Sequence, residues 1–127
     1  LWKHFQWNQK GTKAFLHVNS LGYHEVYLNG KKVGDTVLAP AVSQFDKRSL
    51  SVTYDVTDLL EKGENEFVLW LGKGWYQDGL PGVVNGGPFV RAQLEEFENG
   101  EWRTSLITDS TWKTRESGYA STGTWRP

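Results

Sequence analysis

The 127-residue chain is of single-domain length. Its 14 basic and 15 acidic residues, net charge −1, give no field that would draw nucleic acid or an anionic membrane. With no cysteine, disulfides and thiolate metal sites are excluded, and no apolar run approaches the roughly 18 residues of a membrane span.

Seven Trp, six Phe and five Tyr supply much of the expected core. No methionine occurs, even at position 1, and Gly118 to Pro127 (GYASTGTWRP) closes on a glycine-punctuated aromatic stretch, so the expectation is a piece of a longer chain. Residues 1–127 are read as one domain, with 1–11 as an N-terminal extension and 115–127 as the start of the next segment.

Thr12 to Asn19 alternates, setting Ala14, Leu16 and Val18 on one face and Phe15, His17 and Asn19 on the other, the period of a strand. Ser20-Leu21-Gly22 reads as a turn, followed by a strand from Tyr23 to Leu28. Asn29-Gly30 then predicts a type I′ hairpin, whose central positions need φ > 0, with Lys31 to Val33 as the return strand. Val37 to Pro40 and Leu50 to Val56 read as further strands. Thr57 to Glu61 predicts one helical turn capped by Thr57 and stopped at Lys62-Gly63. Glu66 to Leu71 is an apolar run of strand length, placed in the middle of a sheet with both faces covered.

Residues 72–88 hold six glycines and two prolines, too many breakers for a regular element, so they form one long loop. Phe89 to Phe97 alternates with Val90, Ala92 and Leu94 inward. Asn99-Gly100 is a second hairpin turn into Trp102 to Ile107, and Trp112 to Thr114 is a last short strand. Strands at this spacing without a helix of useful length predict an all-β, jelly-roll β-sandwich.

No catalytic residue emerges. Glycoside hydrolysis needs two carboxylates across a cleft, but Glu95 and Glu96 are adjacent on a strand and point to opposite faces, while Asp55 and Asp58 flank a turn that favours Asp for capping. If residues 20 and 21 form a two-residue turn, His17 and His24 face each other across a hairpin, but without a third ligand they make no zinc site. No Ser lies in a G-x-S-x-G elbow, and Gly72-Lys73-Gly74 lacks the spacing of a phosphate loop.

The loop is the candidate binding site. Trp75 and Tyr76 offer rings to the apolar face of a sugar, while Gln77, Asp78 and Asn85 offer hydrogen bonds to its hydroxyls. The same aromatic pair, directly after a buried strand, also fits a plug for the end of the sandwich or a contact with a neighbouring domain, and both readings stand.

The ordered signals resemble the N-terminal accessory domain of bacterial α-L-rhamnosidases (glycoside hydrolase family 78), a galactose-binding-like jelly roll. The resemblance rests on Leu21-Gly22-Tyr23 with Glu25 to Asp35, on Phe45-Asp46-Lys47-Arg48, and on Tyr54 to Leu60. It continues through Leu71-Gly72-Lys73-Gly74-Trp75-Tyr76, Ala92-Gln93-Leu94-Glu95, and Thr108-Asp109 with Trp112. It implies a parent enzyme of bacterial periplasm or exterior that removes terminal α-L-rhamnose by inversion at paired carboxylates on a separate (α/α)6 barrel. That barrel is then the partner of this domain, in a packing role, and the runner-up is an autonomous module binding rhamnose-bearing oligosaccharide through the Trp75 loop. A third reading is a protein-interaction sandwich of another class. Some relatives bind rhamnose through calcium, for which Asp46, Asn85 and Pro88 are the equivalents by resemblance. Lys47 beside Asp46 opposes a cation there, and no other cofactor is implied.

Overall fold

The cleanest alternation in the sequence becomes the centre of a sheet. A computed structural model describes residues 1–76, 80–83 and 86–119, which form eight strands. They are β1 (Trp2–Trp7), β2 (Ala14–Leu21), β3 (Tyr23–Leu28), β4 (Lys31–Lys32), β5 (Ser51–Asp55), β6 (Gly63–Gly72), β7 (Phe89–Glu98) and β8 (Glu101–Ile107). All pairings are antiparallel, in two four-stranded sheets of order β1-β6-β3-β4 and β5-β2-β7-β8. This is the jelly-roll sandwich the turn spacing predicted, and no helix occurs among the described residues.

The core lies between the sheets. Ala14, Leu16 and Val18 of β2 meet Val26 and Leu28 of β3, Phe67 and Leu69 of β6, and Ala92 and Leu94 of β7, as alternate positions on two facing sheets must. Trp7 and Trp112 close the cluster, and the Trp112 indole N–H donates to the Ile107 carbonyl at 2.9 Å. Asn29 and Asn99 take φ of 52° and 53° and are followed by glycines at 75° and 86°, so both predicted hairpin turns form.

The turn at Ser20-Leu21-Gly22 is different from the expectation. Strand β2 runs on to Leu21, and at Gly22 the chain leaves one sheet and enters the other as β3, so the two strands do not pair. His17 therefore sits on an outer sheet face while His24 is buried in the core, which removes any shared metal site.

Five other expectations are corrected. Residues 2–7, read as part of an extension, form edge strand β1 and bury Trp7. The alternation there was masked by polar residues on the exposed edge. Residues 37–40 form no strand, because Ala39 makes only a single bridge to His24 and leaves Val37 and Leu38 exposed. Trp112 to Thr114 is likewise reduced to one bridge, Lys113 to Trp2. β6 is central in its sheet as read, yet only its inner face is sealed, Trp70 being 41% exposed on the other. In the turn after β5, the Asp55 carboxylate accepts the Thr57 N–H at 3.0 Å, and the Thr57 hydroxyl oxygen accepts the Ala14 N–H instead of capping.

Candidate functional site

The glycine-rich loop begins where β6 ends. Tyr76 N–H donates to the Lys73 carbonyl at 2.9 Å, closing a tight turn. Gly74 lies so flat on the Tyr23 ring that an added Cβ would stand 2.4 Å from it, at a φ of 51°. The turn drives Tyr76 inward: its ring is 1% exposed, edge-on to Phe45 at 5.3 Å and to Phe89 at 6.0 Å. Gly87 presses on the same ring. Tyr76 is therefore a plug at the end of the sandwich, and a ring so enclosed offers no face to a ligand, which corrects its candidacy for sugar stacking. Its neighbour Trp75 remains 42% exposed at the corner. Gln77, Asp78 and Asn85 lie outside the described residues.

The second half of the loop is seated on the turn that carries Asp46. At Gly82 (φ 78°) an added Cβ would stand 2.1 Å from the Asp46 backbone nitrogen. That turn is itself closed by Lys47 and Arg48 N–H groups donating to the Gln44 carbonyl. Of the three calcium positions named by resemblance, Asp46 is an exposed carboxylate, Pro88 is half-buried and contributes only a carbonyl, and Asn85 is outside the described residues. Calcium takes six to eight oxygens, and among the described residues no group of three His, Asp or Glu side chains could hold a metal.

The carboxylates read as non-catalytic are accounted for locally. Asp55 is held below its usual range by hydrogen bonds from the Thr57 side chain and backbone, as suits a turn cap. Glu95 takes part in hydrogen bonds on one face of β7, while Glu96 accepts from the Ser105 hydroxyl.

The outer face of β1-β6-β3-β4 was missed in the sequence. Register places Trp2, Val68 and Tyr27 in one row across β1, β6 and β3, and Trp70 opposite Glu25 in the next. Two grooves flank Trp70. One, about 500 Å³, is lined by Leu1, Trp2, Val68, Trp70, Leu71 and Pro88 with Glu66 and Arg115 at its polar side. The other, about 430 Å³, is lined by Tyr23, Tyr27, Val37, Leu38, Trp70 and Tyr119. Between Tyr27 and β4, the Lys32 ammonium and the Tyr27 hydroxyl both donate to Glu25, holding its carboxyl below the usual range. The signal was the mixed outer register of β6 (Glu64, Glu66, Val68, Trp70), hidden because the run looked apolar throughout.

Comparison with known proteins gives a consistent result. The family described as the alpha-L-rhamnosidase N-terminal domain matches residues 9–126. An alpha-L-rhamnosidase of Formosa agariphila is 36% identical over 116 residues, covering 84% of this chain and 12% of that protein. Among solved structures, an alpha-L-rhamnosidase from Dictyoglumus thermophilum superposes with a TM-score of 0.77 at 30% identity, over 88% of this chain and 12% of the other. One from Streptomyces avermitilis, complexed with L-rhamnose, gives 0.73 at 30% identity, over 85% and 11%. The chain thus spans about one eighth of the length of these relatives.

Proposed function

Because the chain belongs to the family of alpha-L-rhamnosidase N-terminal domains, we propose that it serves a longer rhamnosidase as a non-catalytic accessory domain. In this reading it packs on the catalytic barrel, beside or extending the substrate region, through the outer face of β1-β6-β3-β4. The chemistry, hydrolysis of terminal α-L-rhamnose at two carboxylates, then belongs to residues outside these 127.

The observation that carries this reading is the pair of apolar grooves flanking Trp70. Large exposed apolar patches on a domain mark contact surfaces, and Trp and Tyr are the residues that anchor them. Trp70 is 41% exposed, and Val37 and Leu38 stand 68% and 64% exposed beside it. The Lys32–Glu25–Tyr27 cluster supplies the polar rim such an interface needs.

Hydroxyl-radical footprinting tests it, because Trp and Tyr react in proportion to their exposure. Trp2 and Trp70 should be oxidised readily in the isolated 127-residue chain and protected in the full-length enzyme. Equal oxidation in the two would overturn the docking face. Release of rhamnose from an aryl α-L-rhamnoside by the isolated chain would overturn the accessory role itself.

A further inference from the structure

We propose that the outer face of β5-β2-β7-β8 is a binding surface for a neutral oligosaccharide. It consists of an aromatic platform at Trp102, Phe97 and Phe15 beside a row of polar side chains that crosses all four strands.

The row is continuous. Thr53 on β5 lies 2.9 Å from His17 Nδ1 on β2, and His17 Nε2 lies 3.2 Å from Glu95 Oε2 on β7. A carboxylate only accepts, so Nε2 carries the proton and, in the neutral ring, Nδ1 accepts from the Thr53 hydroxyl. Gln93 Nε2 donates to Glu95 Oε1 at 2.7 Å and to the Thr104 hydroxyl oxygen on β8 at 3.1 Å. Four strands spaced ~4.8 Å apart make this row about 14 Å long, the reach of about two or three sugar rings.

Fold stability does not account for the arrangement. The strands already satisfy one another's backbone groups, and the His17 and Glu95 side chains are 34% and 28% exposed, so water would satisfy them if the row were absent. What the row does is hold donors and acceptors in fixed directions, which lowers the ordering cost of binding.

The platform lies alongside. Trp102 stacks on Phe15 with ring centroids 5.1 Å apart and planes 19° from parallel, and meets Phe97 at 5.2 Å. Yet Trp102 and Phe97 remain 43% and 42% exposed. A bulge between Leu94 and Glu95, where β8 carries Ser105 as an extra residue, changes the register so that Thr104 comes beside Glu95 and Trp102 beside Phe97. Bulges re-aim side chains in this way next to functional sites.

The charges on this face select the ligand. Glu95 and Asp55, on β7 and β5, are matched by Lys13, 5.3 Å above the Phe15 ring, and by Arg91, opposite Asn19 in the outward register of β2 and β7. Neither sign dominates, so the surface suits a polyhydroxylated neutral chain, apolar on its ring faces and hydrogen-bonding at its rims, and not an anionic polymer. Because this sheet is the opposite layer of the sandwich from the docking face, the two proposals stand or fall separately.

The test is a titration of the 15N-labelled 127-residue chain, followed by NMR, with a neutral trisaccharide ending in α-L-rhamnose. Trigalacturonate at the same concentration serves as the anionic control. Saturable shifts are expected at β2, β7 and β8 amides and at the Trp102 indole, with trigalacturonate binding more weakly. Trp102→Ala should weaken binding at least about tenfold, and Gln93→Ala several-fold. If Trp102→Ala loses its dispersed spectrum, Gln93→Ala decides alone. The proposal is overturned by absent shifts up to about 10 mM sugar, beyond the millimolar end of specific binding. Shifts confined to residues 72–88, tighter binding of trigalacturonate, or unchanged affinity in Gln93→Ala overturn it equally.

Discussion

His24 and Tyr54 meet inside the sandwich with imidazole Nε2 3.0 Å from the phenolic oxygen and their rings nearly perpendicular at 79°. The other ring nitrogen, Nδ1, is 2.7 Å from the Ser20 hydroxyl, which itself donates to the Gly22 carbonyl. Ser20 must therefore accept from Nδ1–H, leaving Nε2 to accept from Tyr54, a complete set of partners for a neutral imidazole. Burial disfavours the charged ring and pushes its pKa down to about 4.

A pH dependence follows from that neutrality. Between pH 6.5 and about 4 the unfolded chain binds a proton at His24 that the folded chain refuses, so stability is full above pH 6.5 and falls as pH is lowered through the window. The loss is of order 2 kcal/mol. Urea midpoints measured from pH 7.5 to 4.5 should decline accordingly, and His24→Gln, which cannot take up a proton, should flatten the slope. A slope unchanged in that variant would place the titration elsewhere.

Gly22 is the point at which the chain changes sheets, and it has no room for a side chain. Its φ is 106°, and an added Cβ would stand 2.4 Å from the Gly72 carbonyl oxygen and 3.1 Å from that of Lys73, both backbone atoms that cannot swing away. Gly22→Ala should lower stability by about 2 kcal/mol or more, read as a fall in the urea midpoint. A loss no larger than that of Gly100→Ala, where φ is likewise positive at 86° but nothing lies within 4 Å apart from chain neighbours, is the contrary outcome.

That glycine marks how far the sequence could be read. Period-two patterns in β2, β3 and β7 and the two Asn-Gly turns are local properties of the chain, and each survived into the structure. Which strand pairs with which is a non-local property: Ser20-Leu21-Gly22 has the composition of a hairpin turn, and only the second sheet reveals it as a crossing. β1 escaped for a related reason. Its buried positions are supplied by an edge strand whose outward residues, His4 and Gln6, gave no contrast with the polar stretch that follows.

Asn65 offers a sharper test of polar specificity in the core. Its side chain is buried, with Nδ2 donating to the Glu61 and Gly63 carbonyls and Oδ1 accepting from the Glu61 N–H and from Asn29 Nδ2. Asn65→Asp keeps the shape but replaces the donor with a second oxygen facing two carbonyls. It should cost about 3 kcal/mol at neutral pH. Because burial and those carbonyls raise the introduced carboxyl's pKa, part of the loss should be recovered as pH falls and the group is protonated. Equal stability of variant and parent at pH 7 would contradict the assignment of the amide.

Tyr76 shows why the candidate site was only half legible. An aromatic pair after a strand, Trp75-Tyr76, tells which residue types are present but not which of the two turns in, since that depends on Gly74 and Gly87 letting the backbone close on Tyr23 and Tyr76. With Tyr76 inside, the ring ties the loop to Phe45 and so to the turn closed by Lys47 and Arg48. Tyr76→Ala should cost about 3 to 5 kcal/mol, the range for emptying a buried aromatic site. The consequence specific to a plug is local: amide exchange at Lys47 and Arg48 should accelerate beyond what the global loss of stability accounts for, because the turn they close loses the ring it rests on. If exchange there only tracks global unfolding, Tyr76 fills volume without organising the loop, and the end of the sandwich is held by Phe45 and Phe89 alone.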